Sequence, residues 1–60
     1  MNVSLYLSPD GSYYHTYVYK EDVGIKAFII HLDQDLMNLQ YFERLEKVKH
    51  IAMNLFENNA

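Results

Sequence analysis

Three histidines, eight carboxylates and six tyrosines are the side chains of this sixty-residue chain that could do chemistry. One stretch spaces them as a metal site would: His31-Leu32-Asp33-Gln34-Asp35. On extended backbone alternate residues share a side, so His31, Asp33 and Asp35 would offer one nitrogen and two carboxylates together. The same aspartates stand where a helix would begin. A carboxylate there caps exposed backbone N–H groups and favours the positive end of the helix dipole. Capping accounts for them, so neither a metal nor another cofactor is expected. His15 falls among Leu5, Tyr13 and Tyr17 on the expected inner face. It reads as a part-buried histidine bonded to a tyrosine or a carbonyl rather than as a general base or pH-sensitive contact. His50 follows Glu46 by one helical turn and reads as a solvated face. The chain has no glycine-rich phosphate loop, nucleophile elbow, HExxH or cysteine, so no catalytic residue is assigned and no enzyme is expected.

The elements that would position these groups follow from periodicity and turn chemistry. Residues 2–8 alternate, with Val3, Leu5 and Leu7 on one side, as a half-buried strand does. Ser8-Pro9-Asp10-Gly11-Ser12 reads as a three-residue hairpin loop, with proline fixing φ and glycine accepting a left-handed bulge. Placing Ser8 opposite Ser12 makes paired residue numbers sum to 20. Val3, Leu5 and Leu7 then share the inner face with Tyr13, His15 and Tyr17. Tyr6, Tyr14, Thr16 and Val18 take the outer face. Residues 12–20, rich in tyrosine, form the second strand. After a polar break at 20–24, residues 25–32 form a third, with Ile25, Ala27, Ile29 and His31 on one side and Lys26, Phe28, Ile30 and Leu32 on the other. Both sides are largely apolar, the pattern of a central strand covered twice.

Asp33-Gln34-Asp35 opens a helix expected to run unbroken from Leu36 to about Glu57, with Asn58-Asn59 ending it. Tyr41, Leu45, Val48, Ala52 and Leu55 recur at helical spacing, and Phe42, Ile51 and Phe56 widen the stripe. Glu43 with Lys47 and Glu46 with His50 are favourable four-residue pairs. The fold class is α+β: a three-stranded antiparallel meander followed by one long C-terminal helix, β-β-β-α, in a single domain of residues 1–60.

Composition narrows the class further. Half the residues are hydrophobic and three are proline or glycine, which excludes a disordered tail. The longest apolar run, Ala27-Phe28-Ile29-Ile30, is far too short to span a membrane. No basic-then-apolar leader opens the chain, and there is no disulfide framework, so a soluble cytoplasmic protein is expected. At this size, apolar burial and the cost of ordering the chain roughly cancel, and oligomerisation is the remaining source of buried area. A single helix covers one sheet face and leaves the other apolar, which predicts a homodimer.

Tyrosine gives contact area at low rotamer cost, as recognition surfaces require. Tyr6, Tyr14, Thr16 and Val18 are therefore the expected partner- or dimer-binding residues. Net charge is −3 and the five basic residues form no stripe, which argues against direct contact with nucleic acid. In length, acidity, lack of cysteine and tyrosine-rich hairpin, the chain resembles the small inhibitors that bacteriophages make against host enzymes and defence systems. The phage uracil-DNA glycosylase inhibitors likewise pair an Asp-Gly turn with following tyrosines, here Asp10, Gly11, Tyr13 and Tyr14. The long helix departs from that pattern, and no functional residue carries over. The resemblance implies a viral protein acting in the host cytoplasm. The expected function is that of a non-catalytic homodimeric protein that occupies a partner protein, as a phage-type inhibitor does. The alternative is sequestration of a nucleotide-like ligand between subunits, with tyrosines stacked on the base.

Overall fold

A computed structural model describes residues 1–58 of the chain. In order come β1 (Asn2–Leu7), β2 (Tyr13–Lys20), β3 (Gly24–His31), α1 (Gln34–Met37) and α2 (Tyr41–Asn58). The strands form one antiparallel sheet in the order β1-β2-β3, followed by the long helix, which is the expected α+β architecture. β2 is the central strand. β3, whose two apolar sides suggested a central place, lies at an edge.

The first turn corrects the expected register. Ser8 and Tyr13 form the pair that closes it, with the Ser8 amide donating to the Tyr13 carbonyl at 2.8 Å, so Ser12 joins the loop. Two side chains make this possible. The Ser12 amide donates to Ser8 Oγ and to Asp10 Oδ1, both at 3.0 Å, and so needs no ladder partner. The Ser8 and Ser12 hydroxyls also donate to Asp10 Oδ1, at 2.8 and 2.7 Å. A turn closed from the Gly11 amide to the Ser8 carbonyl, with φ of +77° at Gly11, completes the four-residue loop. Paired numbers therefore sum to 21, as in Val3 opposite Val18 and Leu7 opposite Tyr14. A one-residue slip turns every β2 side chain to the opposite face. The three-residue loop expected here occurs instead at the second turn, where Glu21-Asp22-Val23 is closed by Gly24 at φ +102°.

The helical region is also divided. Asp33 caps α1 as expected, its Oδ1 accepting from the Leu36 amide at 2.9 Å. After one turn the chain leaves the helix, and α2 starts at Tyr41. The cause is Arg44. Its Nε donates to the Leu36 carbonyl at 3.1 Å, and its Nη2 donates to those of Met37 and Leu39 at 3.2 and 3.0 Å. Leu36 and Met37 lie at the end of α1, where carbonyls lack intrahelical partners, and Leu39 lies in the link to α2; a forked cation satisfies all three at once. The expected end at Asn58-Asn59 is described as far as Asn58, and Asn59 lies outside the described residues.

α2 lies over one sheet face. Val48, Ala52 and Phe56, four apart, form its buried ridge, flanked by Leu45, Ile51 and Leu55. Tyr41 and Phe42, expected in this stripe, are exposed instead. The sheet contributes Val3 and Leu5, then Tyr14, Thr16 and Val18, then Phe28 and Ile30, while Leu36 closes the end. Thr16 is fully buried, and its hydroxyl donates to the Phe28 carbonyl at 2.9 Å. Lys26 reaches over the far end, its Nζ 5.6 Å from the centre of the Phe56 ring, a cation–π contact.

Two outcomes test these local causes. The hydroxyls of Ser12 and Ser8 and the Ser12 amide hold the Asp10 carboxyl down from 3.8 to about 2. A depressed folded pKa contributes stability that is present above the unfolded value and lost as pH falls through the folded one. The stability advantage of the native chain over Asp10→Asn, measured by urea unfolding, should therefore narrow as pH falls from about 4 to about 2. Replacing Arg44 by methionine should cost about 2 kcal/mol and speed amide exchange in α1, by removing charge-assisted bonds to three carbonyls. Lysine at this position should fail to restore the loss, since it lacks the fork.

Candidate binding face

The sheet face away from α2 is built from the other set of alternating side chains. From β1 it receives Ser4 and Tyr6, and from β2 it receives Tyr13, His15, Tyr17 and Tyr19. β3 adds Ile25, Ala27, Ile29 and His31. Four of the chain's six tyrosines on β1 and β2 thus lie beside two isoleucines. Tyr6 is 59% exposed, Ile25 64% and Ile29 55%. Strand alternation places every lysine, arginine, aspartate and glutamate elsewhere, on the helix side, in the turns or on the helices.

The rings are ordered among themselves. Tyr17, on the central strand, stacks on His15 with centroids 4.8 Å apart and planes 19° from parallel. Its edge meets Tyr6 at 5.9 Å and 76°. Tyr13 and His31, direct cross-strand partners, lie 6.0 Å apart at 60°. Such edge and offset contacts suit the ring quadrupole and fix the orientation of exposed aromatics. The result is a preordered, uncharged surface of rings and branched aliphatic side chains.

Of the four residues expected to make this contact, Tyr6 alone is on the open face. Tyr14, Thr16 and Val18 are buried under α2. The cause is the one-residue change in register, which exchanges them for Tyr13, Tyr17 and Tyr19. His15 likewise leaves the expected core and joins the open face. Counting Ser12 as part of the loop is the signal that would have found the correct set. On β3 the set Ile25, Ala27 and Ile29 was one of the two alternatives the alternation allowed.

The metal-like spacing does not assemble. Asp33 is engaged as the α1 cap, and His31 faces Tyr13 across the sheet. Among the described residues no group of three or more metal-capable side chains converges. No helix among them is long and apolar enough to cross a membrane. A second exposed feature lies on α2, where Phe42 is 78% exposed and meets Tyr41 edge-on at 5.5 Å. It borders a shallow depression with Leu39, Glu43, Glu46, Lys47 and His50. The Glu46–His50 pair expected there is present at 3.9 Å on an exposed surface, where such pairs contribute little.

No family model, curated protein or solved structure matches this chain. What the open face does follows from its chemistry. Tyr6 is exposed and Tyr14 buried, so their removal should differ in cost. Tyr14→Ser, which empties a core site, should cost about 3 kcal/mol or more in urea unfolding. Tyr6→Ser should cost under about 1 kcal/mol when unfolding is measured at concentrations too low for copies of the chain to associate.

Proposed function

We propose that this is a small non-catalytic binding protein that acts by occupying a partner protein through the open sheet face. One observation supports this above others: the face opposite α2 is covered with tyrosine and isoleucine and carries no formally charged residue. Monomeric proteins rarely leave a contiguous apolar patch of that kind in water. The buried centres of protein interfaces have this composition, enriched in aromatics and depleted in charge.

Other occupants suit it less well. A nucleic acid would need basic side chains to meet its phosphates, and the face offers none. A small ligand is best held in a concave pocket that buries most of its surface, whereas a three-stranded sheet presents a broad open one. Occupying a surface requires no reacting group, and it suffices to inhibit an enzyme whose working surface is covered. A phage-type inhibitor acts in this way.

Affinity capture with the native chain and with Ile29→Asp tests the reading. The native chain should retain a specific protein, and the variant should lose it while keeping the native circular dichroism spectrum. Millimolar nucleotides should leave Tm unchanged in the same preparations. A rise in Tm would favour the ligand-sequestering alternative, because a ligand bound to the folded state stabilises it by mass action.

A further inference from the structure

We infer that, in the isolated protein, the open sheet face is occupied by a second copy of this chain, the two sheets packing face to face about a twofold axis that runs along β2. The inference rests on the reading of that face as a contact surface and names its occupant.

Area is the first argument. The exposed side chains of the face present on the order of 700 Å², close to the roughly 800 Å² that each partner contributes to a standard stable interface. The second argument is charge. In a twofold contact the same patch meets itself, so any charged residue near the axis would face its own like. The chain carries −3 overall with histidine neutral, and none of its eight acidic or five basic residues is on this face, so with His15 and His31 neutral closing it brings no like charges together.

Shape gives the third argument and sets the axis. A twofold along β2 lays β1 of one copy over β3 of the other and preserves position along the strands. The sheet register groups the face into rows: Tyr6, His15 and Ile29 form one, and Ser4, Tyr17 and Ala27 the next. Under this axis Tyr6 of each copy lies over Ile29 of the other. Ser4 lies over Ala27, and these two small side chains leave room for both Tyr17 rings at the axis. Large against aliphatic and small against small is how facing layers fill the ~10 Å between packed sheets. A protein partner that uses the face must then displace the second copy.

The chain has no native cysteine, which permits a direct test. Tyr6→Cys and Ile29→Cys chains, mixed and treated with a bis-maleimide spanning roughly 10 Å, the spacing of packed sheets, should cross-link between copies. Each variant alone should cross-link much less. Sedimentation equilibrium of the native chain at micromolar loading should give about 14 kDa, twice the chain mass of 7.1 kDa. Ile29→Asp, and independently Ile25→Asp, should raise the dissociation constant about tenfold or more with the fold intact by circular dichroism. A folded 7.1 kDa species overturns the inference. So does a dimer that protects the outer β3 amides from exchange and is insensitive to both aspartates, because that pattern marks edge-to-edge pairing. If the chain is monomeric but Ile29→Asp still abolishes partner capture, self-pairing alone fails and the contact-surface reading stands. If neither association nor capture responds, both fail.

Discussion

The Asp10 carboxylate decides which side of the sheet is inside. One of its oxygens accepts hydrogen bonds from the Ser8 hydroxyl, the Ser12 hydroxyl and the Ser12 amide. These charge-assisted bonds release Ser12 from the strand ladder and make the loop four residues long. Because side chains alternate with a period of two, that single residue selects Tyr14, Thr16 and Val18 for burial and leaves Tyr13, Tyr17 and Tyr19 outside. Both β2 faces are rich enough in tyrosine and β-branched residues to be a core. Hydrophobicity alone therefore does not choose between them, and the turn does.

Much of the architecture was legible in the residues. The alternation of Val3 and Leu5, the glycines at both turns, the division of β3 into two sides and the Asp33 cap all hold, whereas Leu7, expected inside with Val3 and Leu5, ends β1 54% exposed. The errors have specific physical origins. Pro9-Asp10-Gly11 is compatible with a loop of three or four residues, and the choice depends on whether a side chain can satisfy the Ser12 amide. The break between α1 and α2 contains no glycine or proline. It is set by a guanidinium reaching back to carbonyls five to eight positions earlier, a relation that helical periodicity does not encode. Two apolar sides, as on β3, usually mean a central strand. Here one side meets α2 and the other lies on the open face.

The two halves of the molecule thus solve different problems. On the helix side, Val48, Ala52 and Phe56 close a core in which the fully buried hydroxyl of Thr16 is satisfied by the Phe28 carbonyl. On the other side, the sheet keeps aromatic rings in fixed mutual orientations where no helix covers them. Order in exposed rings reduces the entropy lost when they are covered, which makes such a surface suited to association.

The edge position of β3 has a consequence for colloidal behaviour. Ile25-Lys26-Ala27-Phe28-Ile29-Ile30 combines strong strand preference with a single charge and no proline, and among the described residues no strand lies beside its outer backbone groups. Segments of this kind stack into steric zippers when freed. Lys26 is the only gatekeeper within it, and its ammonium is held over Phe56 of the helix. Departure of α2 would therefore bare Phe28 and Ile30 and release the lysine in one event. Cover by α2 thus keeps this segment's inner face and its one charge together and out of such stacking.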